Sequence, residues 1–159
     1  MDTSGETDLT TLLASLDPIL DPEIFVFLST TQPIHALPLQ SLQPQMLFQE
    51  VEGLTIITSK HLATTHGFAD QATFPCRKIS LKVHSSLGAV GLIATIAAKL
   101  RERGISSNVV SGYFHDHIFV PVSREDDALE ALRQLAREAR VVCQDDSDLL
   151  CLESKAGIV

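Results

Sequence analysis

The chain has 159 residues, 45% of them hydrophobic, and carries a formal net charge of −8. That length suits one ordinary domain or two small ones with a real buried core. The charge excludes nucleic acid as a general partner, because phosphate binding needs clustered Lys and Arg, and here the Arg residues are interleaved with acids.

Neither a membrane span nor a disulfide framework is expected. The apolar segment near residues 90–100 is short and is interrupted by Lys99, so the sequence predicts no membrane partner. The three cysteines, Cys76, Cys143 and Cys151, form no CxxC pair. Together with an acidic N-terminus that resembles no secretory leader, they predict a cytoplasmic protein.

The first half of the chain begins with strands and short helices. Residues 1–8 are polar, and Leu9–Leu16 is either a short helix or a strand. The continuous apolar run Ile24–Leu28 predicts a strand that is buried on both faces. Three prolines then divide the next segment into extended pieces, at Pro33, Pro38 and Pro44.

A hairpin and a capped helix follow. Met46–Val51 and Leu54–Thr58 flank Glu52-Gly53, which predicts a two-residue hairpin turn. Ser59 is expected to cap a short helix over Lys60–Thr65 that ends at His66-Gly67. Residues 68–76 are interpreted as a loop.

The centre of the chain predicts a strand, a tight loop and a helix. Ile79, Leu81 and Val83 alternate with polar residues, which is typical of a strand with one buried face. The helix that follows is predicted from apolar residues at a spacing near 3.6, with Gly104 as its C-terminal cap. That predicted buried stripe consists of Val90, Ile93, Ala97 and Leu100.

The loop between that strand and helix is a candidate anion site. A helix start presents unpaired N–H groups and partial positive charge, so Ser86–Val90 would accept a carboxylate. Ser85 or Ser86 would cap the helix, and Gly88 would let a ligand approach the backbone. Alternatively, Ser86 is only an N-cap and the glycines only allow close packing.

The last third predicts two strands, a helix and an edge strand. Ser106–Tyr113 and His117–Val122 are apolar runs around a His-rich connection, and Ser123 begins a helix with acids in its first turn. Its buried stripe is expected to end near Arg140, before a last edge strand at Val141–Cys143. The order over 78–143 is then β-α-β-β-α-β, the ferredoxin-like arrangement. The buried stripe of that helix consists of Leu129, Leu132, Leu135, Ala136 and Ala139.

Four sequence blocks resemble the small tandem ACT-domain proteins over about residues 15–140: Glu52–Thr55, Val83–Gly91, Asn108–Val110 and Gly112–Pro121. The family is similar to the regulatory part of aspartate kinases and to eukaryotic arginine sensors. The resemblance implies an α+β fold of two ferredoxin-like βαββαβ subdomains side by side. Residues 15–76 would form a reduced first subdomain and residues 77–143 a complete second one, between a short N-terminal segment, 1–14, and a C-terminal tail, 144–159.

In that family the ligand lies between two ACT modules. The resemblance places it against Ser85, Ser86, Leu87 and Gly88 in the loop and Asn108 on the second strand. The anion site would take the α-carboxylate of an amino acid, and Asp116 or Glu52 would take the ammonium group.

Residues of the same region also suggest two other kinds of site, a zinc site and a hydrolase active site. His115 and His117, with His84 and Asp116 nearby, could hold zinc, or the histidines could simply hydrogen-bond the backbone. A hydrolase would pair Ser85 or Ser86 with His84 or His115 and use Asp116 to orient the imidazole, but the loop lacks the GxSxG turn.

The sequence therefore predicts a non-catalytic, cofactor-free sensor of an amino acid or a similar small carboxylate, acting through a homodimer or a partner protein. The alternative is an interaction module that has kept the fold without a ligand. The histidine metal site comes third.

Overall fold

A computed structural model describes residues 5–83 and 88–156, with side chains up to Gln144. The chain alternates short helices with the strands of one antiparallel sheet. Its elements are α1 (Leu9–Ala14), β1 (Pro18–Thr30), α2 (Leu39–Leu42), β2 (Met46–Gln49), β3 (Leu54–Ser59), α3 (Lys60–Thr65), β4 (Ala72–Leu81), α4 (Leu92–Glu102), β5 (Asn108–Ser111), β6 (Asp116–Pro121) and α5 (Glu125–Ala156).

Six strands form the sheet in the order β2-β3-β1-β4-β6-β5. The two longest strands, β1 and β4, lie at its centre and pair with each other over most of their length. The register shifts between Leu20 and Ile24 and again between Phe25 and Phe27, so β1 bends at a bulge. Each central strand therefore has two parts, one on each side of the bend.

The first half of the chain forms one ferredoxin-like unit, in the order β1, α2, β2, β3, α3, β4. Phe25–Thr30 of β1 pairs with β3, and Ala72–Cys76 of β4 pairs with the other side of β1. The first helix of this unit is only Leu39–Leu42, because prolines on both sides limit it. This helix is therefore about one turn long.

The second half forms a second unit from β4, α4, β5, β6 and α5. Pro18–Leu20 of β1 occupies its fourth strand position and pairs with Ile79–Leu81. The predicted edge strand Val141–Cys143 is wrong, since α5 continues through it. With the fourth position already filled, residues after Arg140 have no sheet edge to join there. Each of the two central strands thus belongs to both units.

The helices lie on one face of the sheet, over two adjoining cores. Ile79, Leu81 and Ile118 pack against α1, α4 and α5, while Val26 and Ile56 pack against the short helices of the first unit. Among the described residues, no helix packs on the opposite face, which carries a cluster of Phe25, Ile57, Cys76 and Phe119. Because side chains alternate along a strand, these two sets point to opposite faces.

Several local expectations are confirmed. The β2–β3 hairpin forms, and the Ser59 side chain accepts a hydrogen bond from the backbone of Leu62 at the start of α3. Gly104 follows α4 with a φ of 63°, the left-handed cap that its position predicted. The predicted stripe of α5 is buried throughout, at Leu129, Leu132, Leu135, Ala136 and Ala139.

Other expectations are wrong. The buried stripe of α4 is Leu92, Ile96 and Leu100, because the helix begins only at Leu92 and Val90 precedes it, 83% exposed. The segment interpreted as a loop contributes to β4 from Ala72 onward.

Two turn predictions are also wrong. Ser123 does not cap α5, which begins at Glu125, and its φ is 75°. The hairpin turn is one residue earlier than expected, since Glu50 N–H donates to the Gly53 carbonyl at 2.8 Å. A Cβ at Gly53 would lie 2.8 Å from the Thr30 carbonyl oxygen, so this position has room only for glycine.

Candidate functional site

The candidate ligand loop lies between the end of β4 and the start of α4. Of the residues predicted there, His84, Ser85, Ser86 and Leu87 lie outside the described residues. Gly88 is described and is exposed. The described part of this region consists of the elements that adjoin the loop.

The start of α4 carries no side-chain cap. Its N-cap is Gly91, with a φ of 98°, and the first turn contains no acidic residue. The predicted serine cap is wrong, because the helix starts after Gly91. A Cβ at Gly91 would lie 3.2 Å from Leu9 Cδ2, so α1 packs directly over this turn. Because the first turn contains no acidic residue, no carboxylate there offsets the partial positive charge of the helix start.

Asp116 lies beside the end of β4, where the loop begins. It is 8% exposed, and it pairs with Leu81 on one side and with Ser111 on the other. His115 Nδ1 lies 3.4 Å from the Val83 carbonyl oxygen. The structure thus brings a buried carboxylate and an imidazole to the strand ends from which the loop departs.

The β5–β6 turn is closed by backbone contact. Gly112 N–H donates to the His115 carbonyl at 3.0 Å, and a Cβ at Gly112 would lie 2.9 Å from that oxygen. Tyr113 and Phe114 form the tip, with ring centroids 4.9 Å apart, and are 63% and 62% exposed. This turn presents an aromatic pair next to the loop.

Two other predicted site residues lie elsewhere. Asn108 is exposed at the far end of β5, three residues from Ser111, opposite Phe119. Glu52 is in the β2–β3 turn, next to Leu54, which pairs with Thr30 at the far end of β1 from Pro18. Asp116 pairs with Leu81, which pairs with Pro18, so Asp116 and Glu52 lie at opposite ends of β1. These ends are on the order of 35 Å apart along the strand, and the two carboxylates cannot hold the same small ligand.

Sequence analysis missed a contact between Ser80 and His117. Ser80 Oγ lies 2.8 Å from His117 Nδ1 on the helix-free face. Burial lowers the pKa of His117, and the positive charge of Lys78 and the nearby His115 lower it further, while Asp116 raises it. The alternating pattern of β4 and β6 places both residues on one face, but the register that joins them depends on strand pairing across 37 residues.

The metal alternative has little support from the described geometry. Across residues 5–83 and 88–144, no three His, Cys, Asp or Glu side chains come close enough to hold a metal ion. His115 and His117 each direct Nδ1 at a different protein oxygen. The serines of the hydrolase alternative, Ser85 and Ser86, fall outside the described residues.

The chain belongs to the ACT-domain family and contains two ACT domains in tandem. The first matches residues 4–77 and the second residues 72–134. The two matches overlap in β4, the strand that both units share. None of the curated proteins matches the chain.

Solved structures similar to this chain include the following three. A protein of unknown function from Vibrio cholerae, described as a possible transport protein, is 40% identical, with a TM-score of 0.71 over 80% of this chain and 95% of that one. The ligand-free regulatory subunit of aspartate kinase from Thermus thermophilus is 17% identical, with a TM-score of 0.55 over 76% and 98%. The regulatory subunit from Thermus flavus is 15% identical, with a TM-score of 0.55 over 74% and 95%. The last two likenesses concern the fold.

Within the described part of the chain, no helix combines the length and the apolar character needed to cross a membrane.

Proposed function

We propose that this protein is a non-catalytic regulatory protein that binds an amino acid or a related small carboxylate at the start of α4. Membership of the ACT family and the likeness to aspartate kinase regulatory subunits support a regulatory role. The observation that carries the proposal is the bare helix start, where Gly91 offers no side-chain cap and no acid occupies the first turn. Such an end favours a bound anion.

The ligand would be held by charge at both of its ends. Backbone N–H groups from Gly88 to the first turn of α4 would receive the carboxylate, together with Ser85, Ser86 and Leu87, which the family resemblance assigns to the same loop. Asp116 would attract the ammonium group, because it is the buried carboxylate at the adjoining strand end. Asn108 and Glu52 have no part in this site.

A thermal-shift screen against the standard amino acids tests the proposal. A ligand that binds only the native state raises the melting temperature in proportion to the logarithm of its concentration. We expect one amino acid to do so with the wild type, and we expect Gly88→Val to abolish the shift, because its side chain would close the approach to the backbone.

Val51→Ala is the control for that variant. Val51 lies in the β2–β3 turn, remote from the loop, and is fully exposed, so its truncation should leave ligand binding unchanged. Wild-type affinity in Gly88→Val would show that the site is elsewhere.

A second candidate function is that of an interaction module. It is favoured by the exposed aromatic pair Tyr113 and Phe114 and by Val141 and Val142 on α5, which are 56% and 51% exposed. Sedimentation of the wild type and of a Tyr113→Ser/Phe114→Ser double variant tests it. Concentration-dependent dimerisation that the double variant loses, without any amino-acid shift, would favour this function over the sensor.

A further inference from the structure

A cleft of about 700 Å³ opens beside the bend in β1, where β3 ends and α3 begins. Its walls include Glu23, Ile24, Gln43, Lys60 and His61. A smaller cavity of about 120 Å³ continues it inward, toward Asp21 and Phe25. This volume lies within the range of small-molecule sites. The cleft belongs to the first unit and shares no residue with the loop around Gly88.

Two segments of irregular backbone shape the cleft. The register shift between Leu20 and Ile24 removes Asp21, Pro22 and Glu23 from the strand ladder with β4. At the opposite wall, Gln43 closes α2 with a φ of 45°, a left-handed conformation that is uncommon for a residue other than glycine. Because both irregular segments line the cleft, it is formed by the backbone as well as by side chains.

The acid at the back of the cleft is already neutralised. Asp21 Oδ2 lies 3.1 Å from Lys78 Nζ, which also donates to Gln45 Oε1 at 2.6 Å. Lys78 lies over the Phe25 ring, 4.8 Å from its centroid. This network fixes the inner wall and leaves Asp21 less available to attract a ligand cation.

The side chains at the mouth of the cleft differ from Asp21 in this respect. Among the described residues, the side chains of Glu23, Lys60 and His61 have no ion-pair or hydrogen-bond partner. Glu23 is carried by β1, whereas Lys60 and His61 are carried by α3. The aliphatic side chains of Ile24, 36% exposed, and Leu62 also line the cleft.

We infer that this cleft binds an amino acid or an amino-acid derivative, with the ligand ammonium toward Glu23 and the ligand carboxylate toward Lys60 and His61. The carboxylate of Glu23 and the ammonium group of Lys60 line one cleft and together complement a zwitterion, and hydrogen bonds between charged partners are the strong ones. Ile24 and Leu62 would contact an aliphatic ligand body. The inference does not rest on the proposed function, because the two sites use different elements.

The test screens the standard amino acids at millimolar concentration by thermal shift, with the wild type, Glu23→Gln, Lys60→Met and Gly88→Val. Any amino acid that binds is then titrated by calorimetry beside its N-acetyl and amide derivatives. We expect Glu23→Gln and Lys60→Met each to weaken binding by about 10- to 100-fold, the usual effect of losing a charged hydrogen bond. Glu102→Gln, an exposed acid on α4, is the matched control and should bind as the wild type does.

The two derivatives test which charged group of the ligand each side chain contacts. N-acetylation removes the ligand ammonium, so it should weaken binding to the wild type but cause no further loss in Glu23→Gln. Amidation removes the ligand carboxylate and should behave in the same way toward Lys60→Met.

The outcomes separate the two sites. Binding that Gly88→Val abolishes and the cleft variants retain overturns this inference and supports the proposed function, whereas the reverse pattern supports the cleft alone. Two equivalents of bound amino acid, one lost in each class of variant, support both sites. The absence of any shift with the wild type overturns the inference, as does equal affinity in Glu23→Gln, Lys60→Met and the wild type.

Discussion

His117 shows how the sheet sets the chemistry of a single residue. It lies on the helix-free face, half-buried, with Nδ1 2.8 Å from Ser80 Oγ. Burial and the positive charge of Lys78 disfavour its protonated form and lower its pKa. The folded protein therefore keeps this imidazole neutral at pH values where the unfolded chain protonates it.

The sign of the resulting pH dependence follows from linkage. The unfolded state binds more protons at His117 once the pH falls below about 6.5, its ordinary pKa, so acidification lowers the free energy of unfolding until the folded pKa is passed. We expect the wild type to lose more stability between about pH 7.5 and about pH 5 than His117→Gln does. Urea denaturation at both pH values measures it. An equal loss in the two proteins would contradict a depressed pKa.

Cys76 is the other residue whose chemistry burial decides. It is 0% exposed, its Sγ donates to the Phe25 carbonyl at 3.4 Å, and burial raises its pKa to about 12. A thiol in that setting does not form the reactive thiolate near neutral pH.

At the scale of elements, two of the serines predicted as helix caps, Ser59 and Ser123, provide a matched pair. Ser59 is 6% exposed and its side chain caps α3, whereas Ser123 lies outside α5 with a left-handed φ of 75°. We expect Ser59→Ala to lower the free energy of unfolding by about 1 kcal/mol. Ser123→Ala should change it by less than about 0.5 kcal/mol. Urea denaturation compares the two, and a larger loss in Ser123→Ala would contradict the assignment of the caps.

Local signals were sufficient for elements that depend on their own residues. The β2–β3 hairpin, the cap of α3 and the buried stripe of α5 follow from spacing within a few positions. The end of α5 was wrong for a physical reason that lies elsewhere in the chain. Val141-Val142 would suit an edge strand, but Pro18–Leu20 already fills that place beside Ile79–Leu81.

The candidate site was predictable to a similar extent. Leu81, at the end of β4, and Asp116 share one region because they are paired across β4 and β6. Glu52 was misplaced, since its distance from Asp116 depends on which ends of β1 the strands reach. The cleft at the bend of β1 had no sequence signal, because a register shift and the backbone of Gln43 create it.

For the whole molecule, the main property is that the two ACT units share their central strands. β1 supplies a strand to both units, and so does β4, so neither unit has a complete sheet without residues of the other. The helix α1 precedes the first unit in sequence but packs into the core of the second, through Leu12 and Leu13, and Leu16 after the helix joins the same core. We therefore expect the units to unfold together.

Two spectroscopic probes test whether the two units unfold together. Tyr113 is the single tyrosine and the chain has no tryptophan, so tyrosine fluorescence reports on the second unit while far-UV circular dichroism reports on both. The two denaturation curves should coincide. Leu12→Ala, at a site that is 0% exposed, should shift both curves together by about 2–5 kcal/mol. Val90→Ala is the control that should shift neither, and separated transitions in any of these proteins would contradict the shared core.

The pairing of Pro18–Leu20 with Ile79–Leu81 also limits when the central strands can pair while the chain is being synthesised on the ribosome. These partners are about 60 residues apart. The first part of β1 therefore emerges without its partner and waits until β4 has been synthesised. During that interval the apolar run Ile24–Leu28 has at most one neighbouring strand, β3. Because unpaired strand edges promote aggregation, the nascent chain stays vulnerable until β4 has been released and has paired with β1.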